Sequence, residues 1–358
     1  MLALLRKTLN SLKAQVMWPE LGLATLSLLP LIIAACYAHN LLFLKLGLIS
    51  ISLFIAANRV KYHAPVICLH FLLILFTFSL LYWSIHCCAI IFVTACALMA
   101  FGCVYITQLG DKLRTLGNYT FIPAVYLACE IQYSVGPQAW RTTYWQFLKI
   151  TPLALASVLL LYYACHNVWA TNSKKISILS KSIKHYWLIH DSGTISRNWL
   201  PSSIAIFIGV FIAASLAVLG HIASPEWLIW STASVISAEL IISRMKFIQR
   251  IVGALVGITV GLSLCPFIAQ TPLTYSLAVL GIMLTLTCFK RYFLSFSSRC
   301  FFITLAAYAI SHSEHLALIR IQNIFLGGII GILSLYFSHS VLKKMQRQHN
   351  KHHVDNGL

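Results

Sequence analysis

The sequence is dominated by long apolar segments that alternate with short basic or polar stretches. A membrane-spanning helix needs about 20 mostly apolar residues, and about twelve segments close to this length can be assigned from the hydropathy pattern. They cover residues 20–38, 41–57, 64–83, 86–106, 119–135, 149–169, 200–222, 226–243, 247–269, 273–289, 300–313 and 318–340. A chain made of such segments is expected to fold in a lipid bilayer.

The composition excludes a soluble globular protein. Hydrophobic residues make up 59% of the chain and charged residues 9%, whereas an ordinary soluble domain is about 25% charged. The segments are apolar on every side, unlike the alternating strands of a membrane β-barrel. We therefore predict an all-α integral membrane protein with about 12 transmembrane helices, arranged as two six-helix halves.

A polar, basic stretch separates the sixth segment from the seventh. It predicts a first membrane half at 1–169 with a short N-terminal interfacial segment, a cytoplasmic connector at 170–199, a second membrane half at 200–342 and a polar basic tail at 343–358. This layout is common in secondary transporters, which bind substrate near mid-membrane between their repeats. The first segment is interpreted as an uncleaved helix, although Ile33–Cys36 resembles a lipoprotein processing pattern.

The positive charges predict the orientation of the chain. The 26 Lys and Arg exceed the 8 Asp and Glu, for a net charge of +18, and cytoplasmic loops carry the excess of cations in membrane proteins. With the N-terminus inside, all the cations except four lie on the cytoplasmic side; the four are Lys45, Arg141, Lys149 and Arg320. We predict a multi-pass protein of the bacterial inner membrane with both termini in the cytoplasm. The excess of positive charge is explained by the orientation of the chain in the membrane, so no nucleic-acid partner is predicted.

Two carboxylates fall inside apolar segments, and a charged side chain at the bilayer centre costs about 2.5–3.5 kcal/mol. The first, Glu239, belongs to a set of positions at helical spacing that predicts a largely polar stripe along segment eight. The stripe consists of Thr232, Ile236, Glu239 and Ser243. It predicts a substrate pathway or a proton-coupling site. The alternative is that Glu239 is only neutralised by the cytoplasmic basic cluster that follows it, which consists of Arg244, Lys246 and Arg250.

The second carboxylate, Glu130, lies on a predicted helical face with three phenols. The face consists of Tyr119, Pro123, Tyr126, Glu130 and Tyr133. Such a face suits an aromatic ligand, although Tyr also occurs in ordinary interfacial belts. Arg320 precedes the glycines of segment twelve and is a candidate cation for a bound anion, or else an anchor at the outer interface.

Glycines at spacings of four residues predict close helix contacts. They are Gly253, Gly257 and Gly261 on segment nine, and Gly327 and Gly331 on segment twelve. Phosphate-binding Gly-rich loops, nucleophile elbows and HExxH motifs do not occur in the sequence, and there is no CxxC pair. No enzymatic activity, metal site or cofactor is therefore predicted.

The stretch from 225 to 261 contains an ordered group of motif residues. They are Glu226-Trp227, Ser231-Thr232, Glu239, Ser243-Arg244, Gln249-Arg250-Ile251-Val252-Gly253 and Gly257, followed later by Arg291-Tyr292 and by Arg320 leading to Gly327-Gly328. This order resembles the fusaric acid resistance family, which includes the aromatic acid exporters. The resemblance lies chiefly in the C-terminal half.

The resemblance implies an inner-membrane exporter of small, often aromatic, carboxylic acids, sometimes working with a periplasmic adaptor protein. The sequence therefore predicts export of organic anions coupled to the proton gradient, with Glu239 alternating between its charged and neutral forms. The predicted partners are the lipid bilayer, the organic anion, an adaptor protein and further copies of the chain. Two alternatives stay open: a passive anion channel of related architecture, and a membrane scaffold or assembly subunit without transport activity.

Overall fold

A computed structural model describes residues 13–108, 114–133, 139–169, 199–236, 240–311 and 315–355. Within these ranges the chain forms helices, and one isolated antiparallel bridge joins Val16 to Phe289. The prediction of an all-α protein is confirmed.

The helices described before residue 170 cover the predicted apolar segments, with two differences: the predicted segment 41–57 forms two helices, and an additional helix (Trp140–Ile150) comes before most of the predicted segment 149–169. They are α1 (Trp18–Ala38), α2 (Leu42–Lys45), α3 (Gly47–Asn58), α4 (Ala64–Cys87), α5 (Ala89–Gln108), α6 (Arg114–Tyr133), α7 (Trp140–Ile150) and α8 (Pro152–Trp169). Proline marks the start of α8, where its missing N–H costs no hydrogen bond.

The helices described after residue 198 differ more from the prediction. They are α9 (Trp199–Leu219), α10 (Pro225–Val235), α11 (Leu240–Leu264), a 3₁₀ turn (Cys265–Phe267), α12 (Pro272–Leu284), α13 (Tyr292–Ser311) and α14 (His315–Asp355). The last helix continues into the region that the sequence predicts as a polar tail.

Six stretches of the described chain are helical, long and apolar enough to cross a membrane. They are Trp18–Ala38, Ala64–Cys87, Trp140–Cys165, Leu200–Leu219, Leu240–Phe267 and Leu318–Lys344. Shorter apolar helical stretches cover Leu42–Asn58, Ala89–Tyr105 and Pro272–Leu284. The chain is a multi-pass membrane protein, while the number of about twelve spans in two halves stays a prediction.

The chain divides into two compact units. The first consists of Met1–Leu75, Ile131–Leu188 and Gln249–Ile321, and the second of Phe76–Glu130, Ile189–Ile248 and Gln322–Leu358. Each unit contains segments from both predicted halves. The halves at 1–169 and 200–342 stay a prediction, and the predicted connector at 170–199 lies outside the described residues apart from Trp199.

In the first unit, small polar side chains allow α1, α3 and α8 to approach closely. The Ser50 hydroxyl lies 3.2 Å from the Ser157 hydroxyl and donates a 3.2 Å hydrogen bond to the Ser27 carbonyl oxygen. A second contact layer joins α12, α13 and the 3₁₀ turn through the buried apolar residues Cys265, Ala278, Leu305 and Ala306. The first contact pairs buried hydroxyl groups with each other and with a backbone carbonyl, and the second buries apolar side chains.

In the second unit, α9 packs along α5 and also contacts α10. The rings of Phe101 and Phe207 meet edge to face between α5 and α9, with centroids 6.4 Å apart. A short helix, α10, is enclosed by its neighbours: eight of its eleven residues are buried.

The prediction of one helix over 226–243 is wrong. Helix α10 ends at Val235, Ile236 has an extended backbone (φ −67°, ψ 123°), and α11 begins at Leu240. The residues 244–250, predicted to lie around a loop between segments eight and nine, are therefore part of α11.

Candidate functional site at the end of helix α10

Helix α10 is too short to cross a bilayer. Its sequence has the features of a helix start, with Pro225 in the first position and Glu226 in the first turn, where a fixed φ and a negative charge are favourable. Its 11 residues rise about 16 Å, which is roughly half of the 30 Å hydrocarbon core.

The end of α10 lies beside the centre of α9. Gly209 is the middle residue of the 21-residue α9. A Cβ atom at Gly209 would be 3.1 Å from each of three side chains, those of Thr232, Ile236 and Ser334. Three helices of the second unit, α9, α10 and α14, therefore converge where α10 stops.

Helix α10 runs parallel to α14 at very short range. A Cβ atom at Gly327 would be 2.5 Å from the Leu228 carbonyl oxygen, and one at Gly331 would be 2.9 Å from the Thr232 carbonyl oxygen. Residue numbers rise together along the two helices, which gives their parallel direction. Glycine is needed at both positions because a side chain would enter the α10 backbone.

Hydrogen bonds hold α10 against α14 along its length. The Ser231 hydroxyl donates a 2.8 Å bond to the Ile324 carbonyl oxygen. The Asn323 amide donates to the carbonyl oxygens of Ala223 (2.9 Å) and Ser224 (3.2 Å), just before α10 begins. Ser224 has a left-handed backbone (φ 55°), so the start of α10 is fixed by side-chain bonds to a strained turn.

The polar residues predicted to share one stripe are separated by the interruption. Thr232 is on α10, fully buried, and donates a 3.0 Å bond to the Leu228 carbonyl oxygen, while Ser243 is buried on α11. Glu239 lies outside the described residues. The prediction of a continuous helical stripe is wrong because the helix ends at Val235.

An aromatic cluster lies between α6 and α10. The ring of Tyr126 meets Trp227 and Trp230 edge to face at centroid distances of 5.4 and 6.3 Å. The two indoles are stacked at 5.2 Å. Edge-to-face and offset contacts of this kind are favourable, so the three rings form one packed aromatic cluster in the second unit.

Two carboxylates lie near this aromatic cluster. Glu130 follows Tyr126 by one helical turn on α6 and is half-buried, and Glu226 is buried at the start of α10. Glu226 was not predicted as a site residue, because a Glu directly after Pro225 is typical of the first turn of any helix.

The predicted cations differ in environment. Arg244 is exposed, Lys246 is half-buried, and Arg250 is buried on α11. Arg250 lies against α13, where it contacts Tyr292 and Phe296. Arg320 is buried near the start of α14.

The glycines of α11 contact α13 within the first unit. A Cβ atom at Gly253 would be 3.2 Å from the Phe296 ring, and one at Gly261 would be 2.8 Å from the Thr304 Cβ atom. At Gly257 it would overlap the backbone of α13. The two helices are parallel and nearly in backbone contact.

One family match covers α10, α11 and α13 and parts of α9 and α14, while α6 lies outside it. No curated protein and no solved structure matches the chain. The family model described as fusaric acid resistance protein-like matches residues 203–334, which run from the first turns of α9 to the middle of α14. The resemblance found in the C-terminal half of the sequence is therefore confirmed: residues 203–334 are fusaric acid resistance protein-like.

Proposed function

We propose that this protein exports small aromatic carboxylates in exchange for protons, and that the exchange takes place at the interruption between α10 and α11. The observation that carries the proposal is the position of the end of α10 beside Gly209, the centre of α9. Secondary transporters bind substrate and coupling ions where a membrane helix is interrupted, because backbone groups become accessible there. The family match supports transport as the general activity.

The two helix ends at the interruption have opposite polarity. The C-terminal end of α10, at Val235, carries the negative end of its helix dipole and favours a proton or another cation. The N-terminal end of α11, at Leu240, carries the positive end of its dipole and favours an anion. Glu239 directly precedes Leu240 in the sequence. Protonation of Glu239 would make room for a substrate carboxylate near α11, and departure of the substrate would allow Glu239 to ionise.

The preference for an aromatic acid is supported by Tyr126 and the two indoles of α10. Their edge-to-face and stacked rings offer a surface on which another aromatic ring gains favourable contacts.

Arg244 and Lys246 supply the attraction for the anion. They lie in the first two turns of α11, and Arg244 is exposed. Exposed cations raise the local concentration of an anion. The charge distribution predicts that these residues face the cytoplasm, from which an exported acid would arrive.

The proposal is tested in proteoliposomes loaded with labelled benzoate. Efflux is measured with and without an imposed pH gradient for the wild type, for Glu239→Gln and for the matched control Glu20→Gln. Glu20 is a partly exposed carboxylate that pairs with Arg59. We expect proton-driven efflux in the wild type and the control, and loss of the pH dependence in Glu239→Gln.

Three outcomes contradict the proposal. Unaltered pH dependence in Glu239→Gln would remove this carboxylate from the mechanism. Benzoate current that follows the electrochemical gradient without proton movement would indicate a passive channel. If correctly inserted protein shows no flux for any of a panel of aromatic acids, the result would favour a membrane scaffold or assembly subunit without transport activity.

A further inference from the structure

The last helix, α14, continues beyond its membrane-spanning stretch. It runs from His315 to Asp355, whereas the part that is long and apolar enough to cross a membrane ends at Lys344. The continuation from Met345 to Asp355 makes about three further turns and rises about 16 Å. Helical geometry therefore fixes the relative positions of residues in a region that the sequence alone predicts as a polar tail.

Three histidines lie on one face of this continuation. They are His349, His352 and His353. Successive residues of an α-helix are about 100° apart around its axis, so these three positions fall within an arc of about 100°. His352 and His353 follow His349 at spacings of i+3 and i+4, and positions at these two spacings are neighbours on a helix surface. His349 is therefore next to both of the other histidine positions.

The basic residues of the same turns lie on the opposite face of the helix. They are Lys343, Lys344, Arg347 and Lys351. These four positions also fall within an arc of about 100°, and its centre is about 180° around the axis from the centre of the histidine arc. A metal cation on the histidine face would be as far from these charges as the helix allows, which keeps their repulsion low.

The residue type and the spacing together indicate which ions such a face would bind. Imidazole nitrogen suits Zn²⁺, Cu²⁺ and Ni²⁺, whereas Mg²⁺ and Ca²⁺ prefer oxygen ligands. Two histidines at i and i+4 on one helical face bind Zn²⁺ in the HExxH metalloproteases. The second imidazole of such a pair binds in an intramolecular step, so a pair holds the ion much more tightly than a single histidine.

We propose that His349, together with either His352 or His353, binds a divalent transition-metal ion of the class that prefers nitrogen ligands, with Zn²⁺ as the representative. The positive charges predict that this end of α14 lies on the cytoplasmic side. The metal site has no part in the transport step proposed above. Its failure would therefore leave the transport proposal unaffected.

The test is isothermal titration calorimetry of the purified full-length protein in detergent with Zn²⁺. Thiols are first blocked with N-ethylmaleimide, because several cysteines of the chain are exposed and thiolates also bind Zn²⁺. The variants are His349→Gln, His352→Gln, His353→Gln and the double change of His352 and His353 to Gln. The matched control combines His349→Gln with Arg347→His. This control keeps the number of histidines in α14 and moves one of them to the opposite face.

We expect His349→Gln to weaken Zn²⁺ binding about a hundredfold, because the pair is lost. The matched control and the double change should lose as much, whereas His352→Gln and His353→Gln alone should each lose only severalfold, since the other histidine still pairs with His349. Wild-type affinity in the matched control would overturn the site in favour of adventitious binding by a histidine-rich tail. Equal losses in the three single variants would contradict a site in which His349 is the common ligand, and Zn²⁺ binding that none of the variants alters would remove the site from α14.

Discussion

The close packing of α10 on α14 makes Gly327 the position where a small change should have the largest effect. In Gly327→Ala, the added Cβ atom would lie 2.5 Å from the Leu228 carbonyl oxygen and 2.8 Å from the Ser231 Cβ atom. An ordinary contact begins near 3.4 Å, so the two helices must separate by about 0.9 Å at this point. Overpacking of this kind costs about 1–3 kcal/mol.

A matched control separates the clash from the helix propensity of alanine. Alanine is favoured over glycine in a helix by up to about 1 kcal/mol, and this gain is common to every Gly→Ala change inside a helix. Gly102 lies within α5, and a Cβ atom there would meet no atom within 4 Å. The difference between Gly327→Ala and Gly102→Ala therefore measures the clash alone.

The assay is reversible unfolding in mixed micelles with increasing sodium dodecyl sulfate, followed by tryptophan fluorescence. We expect Gly102→Ala to match or exceed the wild type in free energy of unfolding, and Gly327→Ala to fall about 1–3 kcal/mol below Gly102→Ala. Stabilities of the two variants that agree within about 0.5 kcal/mol would refute the tight contact between α10 and α14.

Three further changes test the surroundings of the site. Ser231→Ala removes the bond to the Ile324 carbonyl oxygen and should lower the free energy of unfolding by about 0.5–1.5 kcal/mol; an unchanged value would contradict that bond. Tyr126→Ala removes two edge-to-face ring contacts and should lower the free energy of unfolding by about 0.5–1.5 kcal/mol for each. Tyr126→Phe should retain both contacts. Equal unfolding free energies for the two variants would argue against the aromatic cluster. A double-mutant cycle of Glu20→Gln and Arg59→Gln should give a coupling free energy of about 0.2–1 kcal/mol between the two side chains. This coupling should weaken as salt is added, because the 3.0 Å ion pair is partly exposed. A coupling free energy that does not change with salt would contradict that exposure.

The helical class was predictable because each apolar segment must satisfy its backbone hydrogen bonds internally in lipid. The predicted start of segment eight, residue 226, also agrees with Pro225 in the structure, since proline and an acidic residue mark helix starts. The family resemblance depended on an ordered set of motif residues and was confirmed over residues 203–334.

The interruption after α10 was not predictable from hydropathy. Val235 and Ile236 are both apolar, and neither glycine nor proline lies between residues 231 and 243 to mark a helix end. Ile236 is instead held by packing against the centre of α9 and against α14, where a Cβ atom at Gly331 would be 3.5 Å from its side chain. Such long-range contacts override local helix propensity.

The sequence also did not predict which individual charged residues are buried. Arg244 and Arg250 are part of one predicted basic cluster, yet only Arg250 is buried. Its burial depends on Tyr292 and Phe296, which lie more than 40 residues later in the chain. Spacing along one helix does not reveal which of its sides a distant helix will cover.

Labelling of Glu239 with an apolar carbodiimide is the most direct test of the claim that the interruption after α10 is the exchange site. Such reagents modify protonated carboxyl groups in apolar surroundings, and peptide mapping by mass spectrometry locates the modified residue. The account predicts labelling of Glu239 that benzoate suppresses in a concentration-dependent manner, while labelling of Glu20 is unaffected by benzoate. Labelling of Glu239 that benzoate leaves unchanged, in protein that transports benzoate, would contradict the account.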